Sequence, residues 1–187
     1  MFARPAIQTR FNLMACAFLA EVLHLGWEYT HAGVVAHHLL ANPDLPAVSN
    51  WWGLLVVPLL VWHLVGRIQR RGATLVQAGS RERFRTLAQL RCAGALLWAA
   101  ALSLSFMLGH PAVSFIFFGA FVAALFWHVY RAEYVLGFAL GMTFTFGAVL
   151  PVLIASVIAL YSFLAHLLVG AALRLARGNR ARGAGLP

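Results

Sequence analysis

Two stretches, residues 92 to 130 and 134 to 173, contain no Asp, Glu, Lys or Arg at all. About 20 apolar residues carry a helix across the hydrocarbon core of a bilayer, so each stretch is long enough to cross twice. In lipid every backbone N–H and C=O must be satisfied within the structure, which restricts such segments to helices. Each run has one place to break. Gly109, His110 and Pro111 interrupt the first, and Gly147 and Pro151 flank a turn within Phe146 to Pro151 in the second. Two further apolar segments, near 11–31 and 51–66, bring the expected spans to six: 11–31, 51–66, 91–109, 112–130, 134–148 and 151–173. The fifth is short and rich in Gly and Thr. The fold expected is an all-α, polytopic membrane bundle of one domain, residues 1–187.

The chain is 62% hydrophobic and 10% charged, outside the composition of soluble domains. Its net charge of +9 comes entirely from arginine, since no lysine is present. Seven arginines fall between residues 67 and 91, four lie in the tail 174–187, two precede the first span, and Arg131 follows the fourth. Cytoplasmic loops of membrane proteins carry the excess of Lys and Arg. With both termini cytoplasmic, six spans put every arginine on that side, and the bacterial inner membrane is the expected location. The basic loop 67–91 and the tail 174–187, read as flexible, then meet anionic lipid headgroups rather than nucleic acid. Met1 to Phe11 imitates the start of a secretory signal, but no small-residue cleavage site precedes Glu21, so the first span is expected to be retained. Between the first two spans, Asn42 to Pro46 reads as a turn and Trp51 with Trp52 as interfacial anchors.

Glu21, His24, Glu28 and His31 lie within the first span. At 100° per residue they fall in an arc of roughly 80° on one helix face. Ionisable groups at such depth are costly and face a bundle interior or wet cavity, paired with one another. Three readings follow: a hydrogen-bond ladder, a metal site, and a proton or ion relay with Glu21 as carrier. Imidazole and carboxylate suit Zn, Fe, Mn or Cu. His37, His38 and His110 are expected on the same side of the membrane and could complete the ligand set, with Glu28 and His31 acting catalytically on metal-activated water or oxygen. Asp44 reads as a turn former. A second group, His63, His128 and His166, is expected near the other surface, as an aromatic-belt neighbour, a proton or metal station, or half of a non-covalent haem site. Arg131 and Glu133 read as a local charge pair, and Gly137 with Gly141 as a small-xxx-small packing device. Cys16 and Cys92 are expected as apolar filler.

The two E-x-x-H units, Glu21 with His24 and Glu28 with His31, resemble the motif of di-iron carboxylate bundles. In those bundles the copies stand on facing helices; here they share one. His31, His37 and His38 resemble a single histidine box of membrane desaturases and hydroxylases, without the second box. Neither resemblance assigns a family. There is no phosphate loop, G-x-S-x-G elbow, H-E-x-x-H or C-x-x-C-H, and without lysine a retinal Schiff base is excluded. The function expected is therefore a metal-dependent membrane enzyme acting on a lipid or apolar substrate. A proton- or ion-coupled transporter or channel component and a structural or assembly subunit are the alternatives. The small size favours a homo-oligomer or a partner subunit.

Overall fold

The structure is a computed structural model that describes residues 3–31, 33–38, 44, 46–75 and 78–183. Six α-helices make up almost all of it: α1 Ala3–His31, α2 Gly53–Ala73, α3 Ala78–Met107, α4 Ala112–Phe126, α5 Ala132–Phe146 and α6 Val149–Gly183. Stretches of α1, α2, α3 and α6 are long and apolar enough to cross a membrane, whereas α4 and α5 have 15 residues each. Two three-residue strands, β1 Ala36–His38 and β2 Ala47–Ser49, pair antiparallel between α1 and α2.

Both expected breaks occur. Gly109 takes φ 61° between α3 and α4, and Gly147 takes φ 68° between α5 and α6, backbone angles that glycine adopts without the steric cost a Cβ imposes. Pro151 sits in the first turn of α6, where its missing N–H breaks no helical bond. Three expectations are corrected. The segment 67–91 is mostly helix, extending α2 to Ala73 and starting α3 at Ala78. Arginine is a strong helix former, and hydropathy alone cannot separate a polar helix extension from a loop. The tail likewise continues α6 to Gly183. The fourth span is shorter than read, because α4 stops at Phe126 and Trp127 is extended. Of the expected turn Asn42–Pro46, Asn42, Pro43 and Leu45 lie outside the described residues.

The helices alternate in direction, giving the bundle an arginine end and a hairpin end. At the arginine end, Arg10 of α1 donates from Nε to the Trp62 carbonyl of α2 at 2.6 Å and its guanidinium lies 3.8 Å from the Trp62 ring centre. Gln69 of α2 reaches the Ala6 carbonyl at 2.9 Å. At the hairpin end the β1–β2 pair lies beside Phe146 to Leu150. Helix α5 is central and packs on α3, α6 and α2; α4 lies on α6 and α3, and α1 packs mainly on α2. The core is built from small residues, among them Ala99, Ala124, Ala139 and Ala155, with Leu102, Phe138, Met142 and Ile158. Such residues let helices approach where no water is present to drive association. Leu23, Trp27 and Tyr29 of α1 remain exposed, so that helix buries little beyond its polar stripe.

Candidate functional site

Three of the four stripe residues of α1, Glu21, His24 and Glu28, form one connected cluster. Glu21 is 4% exposed, and its carboxylate lies against Gly53, the first residue of α2; a Cβ there would occupy the space of the carboxylate. Gly53 therefore has a steric role, making room for an acid. The N-terminus of α2 also presents the positive end of its dipole to that acid. His24 stands between two carboxylates, with Nδ1 3.9 Å from Glu21 Oε1 and Nε2 3.5 Å from Glu28 Oε1. Its ring lies 4.8 Å from that of Phe144 on α5.

Glu28 is committed to the loop that follows α1. Asn50 Nδ2 donates to its Oε1 at 2.6 Å, and the Val35 N–H donates to its Oε2 at 3.2 Å. Asn50 is itself buried, and its N–H donates to the Val35 carbonyl at 3.0 Å. Glu28 thus ties the end of α1 to the residue before β1 and to the turn that leads into α2. Glu21 differs: its Oε1 is sealed from solvent and has no hydrogen-bond partner among the described residues.

The remaining expected ligands are not assembled there. His31 is exposed, stacks on Trp27 at 3.7 Å and donates from Nδ1 to the Trp27 carbonyl at 2.9 Å, which turns it along its own helix. His110 is exposed between α3 and α4, where its Nδ1 accepts from the Ala112 N–H at 3.1 Å. His38 lies on β1 near Asn50 and the α5–α6 turn, and the His37 side chain lies outside the described ones. Among the described residues no three His, Cys, Asp or Glu come close enough to hold one metal ion.

At the arginine end, His128 and His166 meet with ring centres 4.1 Å apart, and Tyr130 packs against both. His166 donates from Nδ1 to the Ser162 carbonyl at 2.8 Å. Desolvation, and then the nearby His166, Arg131 and Arg91, hold His128 below the ordinary histidine range. His63 is exposed on α2, and the three histidines form no metal-holding group.

Glu133 overturns the local pairing expected for Arg131 and Glu133. It is fully buried, and its carboxylate meets Arg91 at 3.3 Å and Arg71 at 3.6 Å, joining α5 to α3 and α2. A lone acid close in sequence to an arginine draws attention to that neighbour, but helix packing supplied two better-placed ones. Asn50 and Gly53 were also passed over. Their signal is the Ser-Asn pair ahead of an apolar run, an N-terminal helix signature, and Ser49 does accept from the Trp51 N–H.

Comparison with known proteins finds no matching family model, no matching curated protein and no matching solved structure.

Proposed function

We propose that this integral membrane protein binds a small cation at the hairpin-end cluster of Glu21, His24, Glu28 and Asn50, and that the cation is a proton. The observation that carries this reading is Glu21: a carboxylate buried between two helices, with one oxygen that accepts no hydrogen bond and with the titratable His24, not an arginine, as its nearest charge partner. An ionised carboxylate in that position is costly unless a positive charge accompanies it. The imidazole of His24, with a carboxylate beyond each ring nitrogen, can hand a proton from one acid to the other. Glu28 already receives two donors, so Glu21 and His24 alone leave too few ligands for Zn, Fe, Mn or Cu. The metal-enzyme reading needs His31 or His110 to swing inward, against the contacts that hold them.

In this reading the chain crosses a bacterial plasma membrane six times, with its arginine end in the cytoplasm. The site then opens toward the outer surface, and the protein serves a proton-coupled membrane process. Infrared difference spectra of reconstituted protein across a pH step provide the test. A protonated-carboxyl band is expected in the wild type, absent in Glu21→Gln and retained in His31→Ala. A band that survives Glu21→Gln rejects the site. Stoichiometric Zn or Mn uptake in equilibrium dialysis, abolished by Glu21→Gln, replaces the proton with a metal.

A further inference from the structure

The arginine end contains an apolar cavity that the proton reading leaves unused. Its volume is about 240 Å³, and it lies among α3, α4, α5 and α6, lined by residues including Ala95, Trp98, Ala123, Trp127, Phe138 and Ile158. None of its lining residues is charged. The Trp98 indole is held by donating from Nε1 to the Ile116 carbonyl at 3.2 Å, and Ser162 donates to the Ala124 carbonyl at 2.8 Å, securing α6 to the end of α4.

Cationic and titratable groups stand one turn beyond this lining, on the elements that form it. Arg91 precedes the lining residue Ala95 by four positions on α3, and Arg131, the extended residue just before α5, stands in the chain between the lining residues Val129 and Tyr134. Residues four apart on one helix, as Arg91 and Ala95 are, share a face. His128 lies between Trp127 and Val129, both lining residues, and meets His166. Glu133 supplies a single negative charge to Arg71 and Arg91, so with Arg131 the region keeps an excess of positive charge. An apolar recess with a cationic, aromatic rim at a bundle end matches a molecule with a hydrocarbon chain and an anionic head. Guanidinium groups suit phosphate oxygens in particular.

We infer that this recess binds an anionic phospholipid, with one acyl chain in the cavity and the phosphate head at Arg131, Arg91 and His128. The inference does not depend on the hairpin-end cluster. Trp98 and Trp127 provide the readout, because bromine on an acyl chain quenches tryptophan at contact. The full chain is reconstituted with chain-brominated phosphatidylglycerol or phosphatidylcholine. A preference for the anionic lipid of about fivefold is expected, since Glu133 offsets the charge of Arg91 and leaves Arg131 as the uncompensated arginine, and one basic group near a membrane contributes about that factor. The preference should fall to near unity in Arg131→Gln, persist in Arg131→Lys, and vanish from the signal in the Trp98→Phe/Trp127→Phe double variant. Equal quenching by the two lipids in the wild type overturns the inference, as does a preference that outlasts both Arg131→Gln and the double variant. Soluble glycerol 3-phosphate that abolishes the preference by itself assigns the rim to a free anion and also overturns it. Should Arg131→Gln not fold, Ala123→Leu decides: it fills the recess and leaves the charges in place, and unchanged anionic-lipid quenching rejects the site.

Discussion

At the scale of single residues, the two buried acids of the bundle differ in their partners. Each keeps one oxygen that accepts no hydrogen bond, but Glu133, with no exposed surface, lies against two permanently charged arginines, whereas Glu21 faces only the titratable His24. Removing Glu133 leaves Arg71 and Arg91 facing each other across a helix junction. The side chains of these arginines are 44% and 25% exposed, so both can turn toward water. Glu133→Ala is therefore expected to cost about 2 kcal/mol, less than the ~3–5 kcal/mol of breaking a fully buried pair. Arg71→Ala should cost less, about 1 kcal/mol, because this half-exposed arginine leaves Glu133 its Arg91 partner. Unfolding titrations in denaturing detergent measure both, and equal costs would contradict this division. Sequence reading identified Glu21, His24 and Glu28 as one stripe, because helical periodicity alone puts them on one face. It did not separate His31 from them, since that depends on a ring turning onto Trp27, nor did it find Asn50, whose partner is 22 positions away.

At the scale of elements, α3 and α5 make the closest approach. A Cβ at Gly137 would overlap the Cys92 carbonyl, and one at Gly141 would stand 2.6 Å from the Leu96 carbonyl oxygen. These atoms are backbone and cannot move aside without shifting the helix. Gly137→Ala should therefore destabilise the protein by about 1–3 kcal/mol, as overpacking does. Gly170 of α6 has nothing within 4 Å of its added Cβ, and Gly170→Ala should stabilise by up to about 1 kcal/mol through helix propensity. The same detergent titration compares them, and a neutral Gly137→Ala would remove the case for a close α3–α5 contact. The small-xxx-small spacing was legible in the sequence. Its partner helix was not, because the pattern marks a close approach without saying which neighbour makes it.

At the scale of the whole molecule, antiparallel connectivity gathers the arginines of the α2–α3 junction, Arg10 and Arg131 at one end, and Glu21, His24 and Glu28 toward the other. Single cysteines in a background lacking Cys16 and Cys92 test what this means in a membrane. Ala47→Cys and His110→Cys should react with an impermeant maleimide on intact cells, and Thr74→Cys and His128→Cys only after permeabilisation. The reverse pattern inverts the orientation, and His128→Cys labelled from outside removes the crossing by α4, which spans only about 22 Å at the helical rise. The sequence by itself determined that the chain is helical and apolar, where its uncharged runs break, and that Glu21, His24 and Glu28 share a face. Those properties follow from local rules: hydrocarbon leaves the backbone no alternative to the helix, and 3.6 residues per turn fix the faces. Only the tertiary structure decided that Gly53 makes room for Glu21, that Asn50 and Val35 occupy Glu28, that Arg71 and Arg91 close on Glu133, and that an apolar recess lies beside Arg131. Each depends on two segments far apart in the chain meeting at a particular depth and rotation, which packing alone sets.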